Sequence, residues 1–258
     1  MCNLYSVTKG QQAIRELYRA MVDRTGNMPP LPAIFPDQMA PVVRSGEGGR
    51  ELAMMRWGFP CPPSVPGNRP VTNIRNTASS YWRAWMKPAN RCLVPATSFC
   101  EYAPGKPAVP HWFALSQDRP LFAFAGLWRP WTGTRGTKAD PIEGAHELFA
   151  FLTCEPNAVV APVHPKAMPV ILTTPEECDA WLAAPVGEAL HLQRPLPDAL
   201  LSIVARGEKQ DGAPDSVGCP PCCCEPHRLY PPRALPGHGR NLTHHGLPLK
   251  GSLCTPST

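Results

Sequence analysis

No run of this 258-residue chain stays apolar for long enough to span a bilayer. Residues Met1 to Ser6 also lack the charged-then-hydrophobic pattern of a secretory signal. These two absences predict a cytoplasmic protein with no membrane partner, nucleoid-associated if it binds DNA. A regular alternation of strand and helix patterns is missing as well, which argues against a doubly wound parallel sheet. Large charge excess is absent: 25 Lys and Arg against 20 Asp and Glu leave +5. That balance permits local contact with a polyanion without requiring it. Cysteine is not scarce, with eleven present. In the absence of export they are expected to stay reduced, so no disulfide framework is read from them.

The length suits one large domain or two small ones, with enough apolar material for a real core. Ile14, Leu17, Tyr18 and Met21 fall at helical spacing and predict an amphipathic helix over 9–25, stopped by Gly26. The proline-rich stretch 27–41 predicts an ordered loop. Short strand-like runs follow at 51–58, 92–99, 111–116, 120–128, 147–154 and 168–173, many bounded by Pro or Gly. Residues 156–161 and 175–184 read as helices, the second with Pro175, Glu176 and Glu177 in its first turn. The fold class expected is α+β: a β-rich, mainly antiparallel, barrel-like sheet with flanking helices.

Composition shifts near residue 211. From there prolines and the cluster Cys219, Cys222, Cys223, Cys224 replace apolar periodicity. Such a segment buries too little to offset its ordering entropy. The domain is therefore placed at 1–210, with 211–258 a disordered Pro/Cys-rich tail. Cys219, Cys222, Cys224 and His227 offer one zinc-like step, but the second pair is crowded and irregular. No metal and no other cofactor is predicted.

Cys2, directly behind Met1, is the first candidate for chemistry. Aminopeptidases remove Met1 when the second residue is small, and cysteine qualifies. The new terminus carries an amine and a thiol on adjacent carbons, with reference pKa values near about 8 and 8.5. Such a pair condenses with an aldehyde to a thiazolidine, which no internal cysteine can do. The alternative is an incidental second residue.

Three further segments stand out. In Thr72–Ala78, Asn73 offers donor and acceptor groups and Arg75 a planar fork suited to phosphate. The alternative there is a turn-forming Asn beside a surface Arg. Glu101 ends the apolar run Cys92–Cys100, so its carboxylate is expected half-buried with a raised pKa, as general acid/base work requires. The commoner case is an exposed strand-end glutamate, and Cys100 reads as a small core residue. His164, between Pro162 and Pro165, sits on a stiff loop that would hold an imidazole in place. The alternative is a structural histidine bonded to backbone.

Taken in order, these segments resemble the SRAP (SOS response-associated peptidase) family of abasic-site processing proteins. Met1-Cys2, Trp57-Gly58, Asn73-Ile74-Arg75, Phe99-Cys100-Glu101-Tyr102, the Phe124–Trp128 strand and His164–Pro169 recur in the family's order. The resemblance covers roughly 1–210. It implies covalent capture of abasic sites in single-stranded DNA. Cys2 would be the crosslinking residue, Asn73 would position its amine, Glu101 would move protons, and His164 would protonate the sugar ring oxygen. Arg75 would hold a phosphate beside the lesion. The name implies a peptidase that removes its own Met1, and a lyase side activity follows from the imine chemistry. Trp57 and Trp82 are candidates to stack on bases, the alternative for either being a core residue. A monomer is expected. Two departures stand out. Asn3 and Leu4 replace a common Gly-Arg, so that arginine's DNA contact is not carried over. Lys166 and Ala167 lengthen the step from His164 to Met168-Pro169, which shifts the basic contact to Lys166. Two rival readings use the same residues: an N-terminal-nucleophile or cysteine peptidase built on Cys2, His164 and Asn73, and a non-catalytic DNA-binding module with an inert Cys2.

Overall fold

The computed structural model describes residues 2–62 and 70–211. Apart from Asp211, the expected tail and its zinc-like step lie outside the described residues. In chain order the elements are β1 (Tyr5–Val7), α1 (Gln11–Tyr18), β2 (Ala20–Asp23), β3 (Leu31–Ile34), β4 (Met39–Gly46), β5 (Gly49–Trp57), β6 (Asn73–Ile74) and α2 (Ser80–Arg83). They continue with β7 (Arg91–Ala96), β8 (Ser98–Ala103), β9 (Val109–Ala114), β10 (Phe122–Gly136), β11 (Pro141–Cys154), β12 (Met168–Pro169), β13 (Ile171–Leu172), α3 (Pro175–Ala183), α4 (Val186–Ala189) and β14 (Ser202–Arg206).

Five strands close on themselves. β5 pairs β4, β4 pairs β7, β7 pairs β10 and β10 pairs β11, all antiparallel. A short parallel pairing of β11 with β5, Leu148 opposite Arg56, completes the ring. The result is a five-stranded mixed barrel, which removes the edges an open sheet would expose. Gly126 marks a close approach in its wall: a Cβ there would lie 2.8 Å from the Cys92 sulfur. A second, antiparallel sheet runs in the order β14-β9-β8-β1-β3.

Aromatic side chains join the two sheets. Tyr5 of β1 meets Trp57, Phe124 and Phe151 edge-on, with ring centroids at 5.1, 5.6 and 6.0 Å. Phe99 of β8 meets Phe124 in the same way at 6.3 Å. Each such contact adds about 0.5–1.5 kcal/mol beyond area burial. Outside the barrel, α3 is capped by Thr174, whose hydroxyl accepts from the Glu177 amide at 3.2 Å. Its C-terminal carbonyls are gripped by the buried guanidinium of Arg91, at 3.0 Å from Trp181 O and 2.6 Å from Ala184 O.

Four expectations need correction. The helix predicted over 9–25 ends at Tyr18, because Arg19 turns left-handed at φ 53° and the chain enters β2 alongside β5. Met21, counted toward the apolar face, is 72% exposed. The predicted 27–41 loop contains β3 and the start of β4. Pro32 is tolerated because β3 is an edge strand. The predicted 156–161 helix is a run of turns, cut short by Pro162 and Pro165. Strands β10 and β11 also run well past the predicted ends, pairing from Gly126–Phe151 out to Gly136–Pro141. Among the described residues no helix is long and apolar enough to cross a membrane.

Candidate active site

Strand pairing brings the sequence-distant candidates together. β6 lies parallel to β11, with Asn73 opposite Phe151 and Ile74 opposite Leu152. β12 pairs the same strand one step further on, Cys154 opposite Met168. Arg75 and the His164–Ala167 loop therefore flank the C-terminal end of β11. On the second sheet, β1 runs antiparallel to β8, Tyr5 opposite Phe99, and Cys100 donates to Leu4 O at 2.9 Å. That register carries Glu101 back toward the start of the chain.

Cys2 is buried, 1% exposed. Its carbonyl accepts from the Asn73 side-chain amide at 2.8 Å, and its Sγ lies 3.5 Å from Leu4 O. Burial, reinforced by the Glu101 carboxylate, holds the Cys2 thiol well above the usual range, so the sulfur is protonated at neutral pH. Glu101 sits inside β8 and is 4% exposed, deeper than its expected half-burial. Desolvation pushes its carboxyl up to about 7. Glu101 Oε2 lies 4.0 Å from His164 Nε2. Burial lowers the His164 pKa, favouring the neutral ring. Its Nδ1 lies 2.9 Å from Ala167 O and 3.3 Å from Ala167 N, and its Nε2 is turned toward Glu101. Two buried acceptors, Asn73 Oδ1 and Glu101 Oε1, have no hydrogen-bond partner among the described residues. A carboxyl that keeps its proton toward neutrality thus acts on the neutral Cys2 thiol, with His164 beside that carboxyl. Among the described residues no cluster of His, Cys, Asp and Glu could hold a metal ion.

The other candidates fall into two groups. Arg75 and Lys166 are exposed, Arg75 ion-paired to Glu155 at 2.5 Å. Trp57 is fully buried, sandwiched near Phe149 and Phe151, and its indole donates to Thr72 O at 3.2 Å. No face of Trp57 is open to a base, which corrects its placement as a DNA-stacking residue. Trp82, only 7% exposed, packs against Phe59. Cys100 is a small core residue, as expected, with its thiol pushed up to about 12 by burial.

Residues 1–205 match the family model described as SOS response associated peptidase (SRAP). The chain belongs to the SRAP family. This SRAP-family protein is 31% identical over 148 residues to the abasic site processing protein YoqW of Bacillus subtilis. It is 29% identical over 147 residues to the abasic site processing protein YobE of the same organism. The two alignments cover 55% of this chain, and the chain spans only 61% and 62% of those relatives' lengths. The fold matches a crystal structure of a Bordetella bronchiseptica protein at TM-score 0.62 and 24% identity, covering 80% of this chain and 98% of that one.

Within this SRAP domain, two residues beside the site escaped sequence reasoning. Thr72 hydrogen-bonds both Asn73 and Asn3. Glu155 occupies the guanidinium of Arg75. The only signal for Thr72 was a hydroxyl adjacent to Asn73, and for Asn3 its departure from the family's Gly.

Proposed function

We propose that this SRAP-family protein captures abasic sites in single-stranded DNA covalently, through the amine and thiol of Cys2 after loss of Met1. The observation that carries this reading is the convergence of Asn73, Glu101 and His164 on residue 2. Asn73 grips the Cys2 backbone. Glu101 acts on the Cys2 thiol electrostatically, and His164 stands next to Glu101.

In this reading an abasic sugar, mostly a closed hemiacetal, opens with a proton delivered to its ring oxygen through the Glu101–His164 pair. The Cys2 amine adds to the freed aldehyde carbon. Loss of water, its oxygen protonated by Glu101, gives an imine. The thiol then adds across the C=N bond, its proton passing to nitrogen, and a thiazolidine closes. Slow closure lets the imine drain by β-elimination, which is the lyase side reaction. Removal of Met1 is assigned to an aminopeptidase or to the protein itself. Single strands are favoured because the lesion needs no extrusion from a stack. Arg75 and Lys166 border the site as phosphate contacts, Arg75 after releasing Glu155.

A cysteine peptidase fits less well. Such an enzyme needs a thiolate, whereas burial and a neighbouring carboxylate both push the Cys2 thiol the other way. The test is incubation of the purified protein, its N-terminus checked by intact mass, with an abasic single strand. A denaturant-stable adduct is expected with the demethionylated protein and none with Cys2→Ser. A stable adduct formed by Cys2→Ser, or by protein that keeps Met1, would reject the assignment.

A further inference from the structure

Asn73 is a buried amide that must present the correct end to Cys2. Its two ends differ chemically: Nδ2 only donates and Oδ1 only accepts. Nothing in the shape of the side chain distinguishes them, so neighbours must. The Cys2 carbonyl accepts from Nδ2 at 2.8 Å. The second contact of Nδ2 is with Thr72 Oγ1 at 2.7 Å. A threonine hydroxyl can donate or accept, and by itself would tolerate either end of the amide. The Cys2 carbonyl, which can only accept, sets the end of the amide, and Asn3 supplies the hydroxyl with a matching acceptor. Asn3 Oδ1 lies 3.0 Å from Thr72 Oγ1 and receives the hydroxyl proton. The remaining lone pairs of Oγ1 then face Asn73, and only Nδ2 satisfies them.

We propose that Asn3 and Thr72 form a positioning relay that locks the orientation of the Asn73 amide at the crosslinking residue. With both Nδ2 hydrogens engaged, a flip would set Oδ1 against two oxygen lone pairs. Oδ1 is therefore held on the opposite side, buried and without a partner among the described residues. Under the capture reading, an N–H of the Cys2 amine, or of the carbinolamine formed from it, is the donor we assign to it. Trp57 completes the support by donating to the Thr72 carbonyl at 3.2 Å, which fixes the backbone that carries the hydroxyl. Thr72 and Asn73 are both buried, 5% and 7% exposed, so water competes weakly for the bonds between them and to Cys2, while Asn3 is the exposed outer end of the relay.

The catalytic side of this inference rests on the capture reading above; the hydrogen-bond relay does not. Thr72→Val keeps the shape and removes the hydroxyl. It should slow adduct formation roughly fivefold, the equivalent of one net hydrogen bond, with unchanged affinity for an undamaged single strand. Thr72→Ser should restore the rate. Asn3→Ala combined with Thr72→Val should be no slower than Thr72→Val alone, because the relay is already broken. A second readout needs no DNA. By NMR, the Asn73 side-chain amide protons should exchange slowly in wild type and in Thr72→Ser, and faster in Thr72→Val. Equal exchange in all three proteins, or a wild-type rate in Thr72→Val, overturns the relay. A wild-type protein that forms no adduct would instead sink the capture reading, and the exchange comparison would still decide the relay.

Discussion

Glu101→Gln should make the protein more stable above neutral pH while abolishing most of its chemistry. Glu101 is 4% exposed, one of its carboxylate oxygens lacks a partner among the described residues, and desolvation raises its pKa from 4.5 to about 7. In the unfolded chain the carboxyl ionises near 4.5; in the folded chain it keeps its proton to about 7. Between those values the folded state binds more protons, so stability falls as pH rises. The contribution is fully present below 4.5 and lost once pH passes the folded value. At about 1.4 kcal/mol per unit, the rise from 4.5 to about 7 corresponds to about 3 kcal/mol of cost for a charged Glu101. Glutamine has the same shape and never ionises. Urea unfolding at pH 8 should therefore show Glu101→Gln more stable by up to about 3 kcal/mol, with an unchanged m-value. At pH 4 the two proteins should coincide. Adduct formation should meanwhile drop by about 10²–10⁴, the usual contribution of a positioned acid/base. A variant less stable than wild type at pH 8, or equally shifted at both pH values, would refute the claim that burial of a charge sets this pKa.

Two other perturbations separate roles that the sequence left open. Glu155→Gln releases Arg75 from an exposed ion pair, so binding of a single strand, followed by fluorescence anisotropy at low salt, should tighten by about two- to fivefold, in line with the weak energetics of such pairs. An unchanged Kd would show that Arg75 does not meet phosphate. Trp57→Phe removes the indole donor to the Thr72 carbonyl and should destabilise the fold by about 1–3 kcal/mol in urea. The salt dependence of DNA binding should not change; a reduced affinity at constant stability would return Trp57 to the interface.

The strands were legible because Pro and Gly punctuate them and because buried residues crowd 92–99, 120–128 and 147–154. Closure of the barrel was not, since it depends on a parallel contact of two residue pairs between β5 and β11, which leaves no periodicity behind. The extension of β10 and β11 was missed for a related reason. Residues 129–146 are mostly exposed or half-buried, so no apolar alternation marks them. Trp57 was misplaced because a tryptophan before Gly58 reads equally as a surface platform or as core. Only the ring contacts with Tyr5, Phe149 and Phe151 decide between them. Cys2, Asn73, Glu101 and His164 stood out as residue types, yet their meeting depends on β6 and β12 flanking one end of β11. The Asn3–Thr72 contact was beyond reach, because a hydroxyl's choice between donating and accepting is set by neighbours 69 and one residue away.

The burial of Cys2 bears on the order of events in the proposed capture. A thiol held protonated by desolvation and by Glu101 is a poor first nucleophile. An amine freed by loss of Met1 carries no such penalty once neutral, so it attacks first and the imine precedes the ring. Closure then requires the sulfur to lose its proton as it adds to carbon. Protonation of the imine nitrogen places a positive charge next to that sulfur, which lowers the cost of the thiolate when it is needed. Glu101, poised near neutrality, can take up the proton in transit. An enzyme built to cleave peptides through the sulfur would favour the thiolate from the outset. In the proposed capture, the burial that keeps the resting thiol protonated would also hold it back from other electrophiles until an aldehyde has been caught.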